Sequence, residues 1–383
     1  MTSRGELRPA ARGAKISASS GWKVMRDQVA GTEQEQTGGE TSTLQNFVEI
    51  RVKGRWVQEP AIDVNGRKLF AAGRWLRTAK VRSDEMMVNE LENPEQYIKK
   101  LKNDGNRMLK ADIFTFAQKV PATLPKYPYP MEWESVAAVH LISFNEWWQS
   151  LPQETRKNVR RSQKRGVAVR VKEFDDGLIQ GIRGVNDDSP LRQGMRNAYY
   201  GKSPEETRKL YDEFVGRCDF ICAYLGDELI GFLHLVYRGD VASILNLTTK
   251  PSHFDKRPAN ALMAKAAEVC QLKDISYITY GLYNYGNKQD SPLREFKVRN
   301  GFQEILVPRY FVPLTGWGRL CMKAKLHRGL VGILPHSVIT VGVGARALCY
   351  NFAAFLSRCS STTERPNRNR QMERSTPPAG SSS

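Results

Sequence analysis

Apolar and polar positions alternate early in the chain and take helical spacing further on. FVEIRV (47–52) and LFAAGRWLRTAKV (69–81) read as two short strands around the Asn65-Gly66 turn signal. Asn93-Pro94 opens a helix over 94–102, with proline at the first helical position. ADIFTFAQKV (111–120) fits a strand or a helix. PATLPKYPYPMEW (121–133) holds four prolines and is predicted to be an extended connector.

The pattern sharpens after Ser143, an N-cap whose partner Glu146 completes a capping-box spacing ahead of FNEWWQSL. Pro152 opens a second helix, PQETRKNVRRSQKR, stopped by Gly166. VAVRVKEF (167–174) alternates like a strand, and PEETRKLYDEFVGR (204–217) reads as an amphipathic helix. Strands at 219–226, 228–237 and 241–249 are separated by the Gly226-Asp227 and Gly239-Asp240 turns, so they form an antiparallel meander. A helix over 258–272, a strand over 275–283, a helix over 292–301 and a strand over 302–314 follow. A meander leading into strand–helix–strand crossovers predicts an α+β fold with a mixed sheet flanked by helices.

Residues 1–45 and 360–383 lack periodic apolar content and read as disordered tails. Between them the pattern divides into an α+β region (46–142), a central domain (143–315) and a basic and apolar helical segment (316–359). Residues 1–30 hold no apolar core of signal-peptide length, and no stretch reaches about 18 consecutive apolar residues. Gly329–Ala345 has no Asp, Glu, Lys or Arg, but Pro335 interrupts it.

Charge narrows the partners. Lys and Arg number 58 against 40 Asp and Glu, a net charge of +18. That excess attracts acidic matter: nucleic acid, an anionic membrane or phosphate-bearing substrates. Of the six cysteines only Cys218 and Cys222 are close, and without a His or a second pair they make no metal site. Buried free thiols and a cytoplasmic setting, at most peripheral to the inner membrane face, fit that usage.

Four segments, RKNVRRSQKRGVAVR (156–170), YLGDELIGFLHL (224–235), DKRPANALMAKAAEVC (255–270) and LREFKVRNGF (293–302), carry a resemblance. Together, in this order, they resemble the GNAT N-acyltransferase superfamily, and within it the Fem-like and uncharacterised bacterial acetyltransferase-like branch. The resemblance implies an enzyme that moves an acetyl, acyl or aminoacyl group to an amine, such as one on a cell-envelope precursor. It implies a donor lying along the strand before the long helix, here Leu247, Thr248 and Thr249, with its phosphates near Lys256, Arg257 and Asn260. The loop KPSHFDKRPAN lacks the glycines of the usual pyrophosphate loop. The donor is then either an acyl-CoA such as acetyl-CoA, or aminoacyl-tRNA as in Fem-like proteins. No metal is implied, and residues 46–142 would be a degenerate first GNAT-like half, as in Fem-like proteins, or a lid.

Lys297 stands where many GNAT enzymes have a tyrosine, in the manner of the Fem-like FK motif, and a lysine there suits an oxyanion. Tyr280, Tyr283 and Tyr285 end the preceding strand, and the first two are catalytic candidates beside Lys297. The resemblance implies an acceptor pocket from the loop 189–206, with Arg192, Gln193, Arg196, Tyr199 and Tyr200 as its groups. Asp187, Asp188 and Glu295 are alternative bases.

Helix 152–165 carries six Lys or Arg against one Glu, for tRNA, an anionic bilayer or solvent. The segment after Leu314 fits an interfacial anchor or helices completing the core. A catalytically inactive module that binds RNA or a membrane surface is the competing reading.

Overall fold

The computed structural model describes residues 47–52, 55–82, 84, 90–192, 195–284 and 291–328. The signals in 1–45 and 360–383, Tyr285 and most of the segment after Leu314 lie outside the described residues.

The chain opens with β1 (Phe47–Val52), β2 (Arg55–Val64), β3 (Arg67–Ala72) and β4 (Thr78–Val81). Asn65 and Gly66 both take positive φ (55° and 73°), the paired left-handed turn that an Asn-Gly hairpin uses to join β2 to β3. Helix α1 (Pro94–Lys100) runs through a wider π turn (Leu101–Gly105) into α2 (Asn106–Leu109). Then come β5 (Ile113–Ala117) and β6 (Met131–His140). The second part contains α3 (Phe144–Ser150), α4 (Gln153–Lys164), β7 (Val167–Lys172) and α5 (Asp176–Asn186). A two-residue hairpin, β8 (Leu191–Arg192) and β9 (Met195–Arg196), precedes α6 (Pro204–Tyr211). The meander β10 (Cys218–Leu225), β11 (Glu228–Arg238) and β12 (Val241–Thr249) leads to α7 (Pro258–Leu272). β13 (Tyr277–Leu282), α8 (Pro292–Arg299), β14 (Gln303–Pro313) and α9 (Gly316–Lys323) follow.

Twelve of these strands form one mixed sheet in the order β1-β2-β3-β4-β5-β14-β6-β13-β12-β11-β10-β7. Among the described residues, only β4–β5 and β12–β13 pair in parallel. The fold is thus α+β, with the predicted meander and crossovers in place.

Alternation places the core. Along β10, Ile221 and Ala223 face α3, α4 and α7, whereas Phe220 and Cys222 face α5 and α6. Helices therefore cover both faces of this half, and its strands read as continuous apolar runs. At the other end, Tyr97 and Ile98 of α1 pack on Leu69, Ala71, Phe114 and Phe116.

Four elements differ from the sequence reading. β2 was hidden by Pro60 and by its many polar residues, and the predicted connector ends at Pro130, where β6 begins. Helix α5 contains Gly177, Gly181 and Gly184, which lower helix propensity. At Gly181 a Cβ would lie 2.8 Å from Cδ2 of Leu229, so that leucine side chain would have to shift. Finally, helix 204–217 is cut to α6 and a 3₁₀ turn, Asp212–Phe214.

Candidate active site

The parallel pair β12–β13 holds for only three residues, Val241–Tyr277, Ala242–Ile278 and Ser243–Thr279. Ser243 Oγ and Thr279 Oγ1 meet at 2.8 Å at the last of these pairs. Past it, β12 pairs with β11 alone, while β13 bulges between Thr279 and Leu282 and rejoins β6 at Leu282–Val136. Beyond Ser243 and Thr279 the two strands are no longer paired with each other.

On the β12 arm, two sets of predicted residues meet. Arg192 donates from Nη2 to the Leu247 carbonyl at 2.9 Å and from Nη1 to Thr248 Oγ1 at 3.0 Å. A predicted acceptor-side arginine thus sits on the predicted donor strand. Thr249 ends that strand opposite Gly231. The loop carrying Arg192 is pinned by buried Asn197, whose Nδ2 donates to the carbonyls of Asn186 and Ser189. Asp187 accepts from the Gly201 amide, and Asp188 accepts from Ser252 Oγ and amide. These carboxylates anchor the loop, and Glu295 is paired with Arg299 on the surface of α8. Arg196 and Tyr200 are exposed, Tyr199 is half-buried, and Gln193 lies outside the described residues.

The turn before α7 (Pro251–Lys256) joins this arm to the basic helix. Arg165, at the end of α4, donates to the Asp255 carbonyl and pairs with its carboxylate at 3.7 Å. Lys256 pairs with the same carboxylate at 3.0 Å. Exposed Arg257 takes a left-handed conformation (φ 56°), and half-buried Asn260 lies in the first turn of α7. Two cations, Arg165 and Lys256, thus meet on one Asp, with exposed Arg257 next in the chain, a setting for phosphate without glycines.

On the β13 arm, Lys297 is fully buried, and its Nζ donates to the Leu282 carbonyl at 2.6 Å. Nζ also lies 4.8 Å from the centre of the Tyr280 ring. The structure so brings Lys297 and Tyr280 together at the strand end. Tyr283 stands apart, under the guanidinium of Arg294 at 5.1 Å. Its amide donates to the Ser135 carbonyl.

At the base of the cleft the sequence analysis missed a polar cluster. A cavity of about 20 Å³, roughly one water, is lined by residues including Gln118, Lys119, Glu134, Arg238, Ser243 and Thr279. Arg309 makes a two-pronged pair with Glu134 (2.9 and 3.0 Å) and approaches Asp84 at 3.5 Å. Asp84 also pairs with Lys119 at 3.1 Å. Burial lowers the Lys119 pKa, against the opposing pull of Asp84. Arg238, also lowered by burial, leaves a buried Nε without a hydrogen bond. The signal for Lys119 and Arg309 was a lone cation inside an apolar run.

Other titrating groups are structural. His234 is buried against Phe220 (4.5 Å, nearly parallel), and burial lowers its pKa to about 3. Burial raises the Cys218, Cys222 and Cys270 thiols to about 12, so they stay protonated and unreactive. Among the described residues no cluster suits a metal ion, and no helix is long and apolar enough to cross a membrane.

No curated protein matches the chain in sequence. The C-terminal domain of a lysylphosphatidylglycerol synthetase from Agrobacterium fabrum is similar in structure at 12% identity and TM-score 0.47, over 70% of this chain and 88% of its own. FemX is similar at 11% identity and TM-score 0.46, over 79% of this chain and 93% of its own. L-PGS from Bacillus licheniformis is similar at 14% identity and TM-score 0.46, over 72% of this chain and 89% of its own. Residues 153–289, from α4 to just before α8, match the family model described as an acetyltransferase (GNAT) domain, and it is this domain that the segment resembles.

Proposed function

We propose that this chain is an N-acyltransferase whose donor lies in the cleft between β12 and β13. The parting of that parallel pair after Ser243 and Thr279 carries the reading, because it leaves backbone along β12 for an extended acyl-donor chain. Arg192 holds the Leu247 carbonyl there, so a donor entering the edge must displace that contact. The donor's phosphates meet Arg165, Lys256 and Arg257 at the turn before α7. Amine attack on the acyl carbonyl builds negative charge on its oxygen. Lys297 acts from the β13 arm, holding Leu282 and Tyr280 in place and setting a cation beneath that charge.

The acceptor is an amine, of a cell-envelope precursor in this reading, taken by the loop with Arg196, Tyr199 and Tyr200. The donor is an acyl-CoA or an aminoacyl-tRNA, since both bring phosphate to the same cations. Thermal melting of the full chain with acetyl-CoA, longer acyl-CoAs, CoA and charged tRNA tests this. Saturation at about 100 times the dissociation constant adds about 2.7 kcal/mol. A rise with either donor class supports the reading, and no rise with any of them refutes it.

A further inference from the structure

Away from the cleft, the structure carries a surface whose chemistry the acyl-transfer reading does not use. Trp75 is 54% exposed, Trp317 46% and Leu320 56%. A single exposed apolar side chain is ordinary, but these three come from neighbouring surfaces of two separate segments. The link between β3 and β4 carries Trp75, and α9 carries Trp317 and Leu320 one turn apart.

Their exposure is built in. The inner face of α9 is fixed by Cys321, which packs with Leu76, Ile113 and Phe311. Gly318 lies so close that a Cβ would sit 2.0 Å from the Asp112 carbonyl oxygen. With that face against the sheet, Trp317 and Leu320 must point outward. Trp317 Nε1 donates to the Trp75 carbonyl at 2.9 Å, and the two indoles meet edge to face at 6.4 Å. Neither ring is free to fold back into the core.

Cations surround these rings. Arg74, Arg319, Lys323 and Lys325 are exposed, and neither 73–78 nor 316–328 contains an acidic residue. The nearby carboxylates are already engaged: Glu59 with Arg77, Glu132 with Arg328 and His327, and Asp112 with Thr315. Paired indoles with an aliphatic side chain, ringed by unmatched Lys and Arg, suit the headgroup boundary of an anionic bilayer. A second copy of this patch would bring like charges together, and RNA offers no apolar phase for Leu320.

We propose that the Trp75–Trp317–Leu320 patch, with Arg74, Arg319 and Lys323, seats the protein on an anionic lipid surface. This rests on surface chemistry alone and stands whether or not the cleft binds an acyl donor. The test is flotation of the full chain with phosphatidylcholine vesicles, and with mixed phosphatidylcholine–phosphatidylglycerol vesicles, one set carrying bromine on the acyl chains. The expected result is flotation with the mixed vesicles only, and bromine quenching of tryptophan fluorescence. That quenching should disappear in Trp75→Phe/Trp317→Phe, which keeps an aromatic ring at each position. Reversing two charges, in Arg74→Glu/Arg319→Glu, should weaken flotation about tenfold or more, with the melting temperature confirming that each variant is folded. Equal flotation with pure phosphatidylcholine would overturn the proposal. So would flotation without quenching at these tryptophans, or self-association or RNA retention lost with the same substitutions.

Discussion

The two halves of the sheet repeat one arrangement and use it differently. In each, an antiparallel meander ends in a strand that crosses through a helix to a short parallel partner, β4 to β5 and β12 to β13. Beside β5 the space is filled by aromatic rings: Phe114, Phe116, Tyr127 and Tyr310 stack or meet edge to face at 5.1–5.6 Å. Arg77 also closes that end, donating to the Ala71 and Leu109 carbonyls. Beyond the β12–β13 pairing the described side chains are mixed, with Leu247 and Tyr280 packed against the core. Polar groups stand among them, with Arg192 and Thr248 on one arm and Lys297 on the other. The two crossovers thus differ in the polarity of the side chains beside them. We propose that the first half is a degenerate counterpart of the second, kept for packing.

That comparison can be broken. The largest effect is expected at the junction of the halves, where Glu134→Ala would leave Arg309 buried with its main partner gone. Chemical denaturation should show a loss of about 3–5 kcal/mol, and an unchanged midpoint would mean that the junction is not what joins the halves. Phe116→Ala, in the filled half, should cost about 3–5 kcal/mol yet leave donor affinity unaltered. Altered affinity there would contradict a purely packing role.

Lys297→Met keeps length and burial but removes charge. Turnover should fall about 100-fold or more, with a smaller loss of about 1–3 kcal/mol in stability from the orphaned Leu282 carbonyl. Loss of stability with full turnover would make Lys297 structural only.

His234 sharpens the contrast by pH. Its folded pKa, about 3, lies below the ordinary 6.5, so the unfolded chain binds the extra proton between those values. Its contribution is complete above pH 6.5 and is lost as pH falls toward 3, at about 1.4 kcal/mol per unit. His234→Phe should flatten the fall in stability below pH 6.5 relative to the parent, and parallel pH profiles would sink the idea.

Smallest is Arg192→Ala, which frees the Leu247 carbonyl. Donor binding should tighten by about one hydrogen bond, near 1 kcal/mol, as read by calorimetry. Weaker binding would make Arg192 a donor contact rather than a guard of the edge.

Much of this was legible in the chain. The meander, α7 and the Asn65-Gly66 hairpin follow from alternation, helical spacing and turn chemistry, which are local. β6 was not, because it is buried between β13 and β14, strands from 277 to 313, and its residues do not simply alternate. The ionic cluster was invisible for the same reason. Asp84, Lys119, Glu134 and Arg309 lie on separate segments, and only the sheet order brings them together. Site residues could be named by type, but the loop carboxylates Asp187 and Asp188 are hydrogen-bonded within the loop region, and Arg192 of β8 hydrogen-bonds to β12.

Backbone amide exchange of the full chain, with and without a saturating acyl-CoA or charged tRNA, tests the cleft most directly. The account predicts new protection along 244–249 of β12 and in the first turn of α7, with 113–117 of β5 unchanged. Binding that protects neither β12 nor α7 would contradict it.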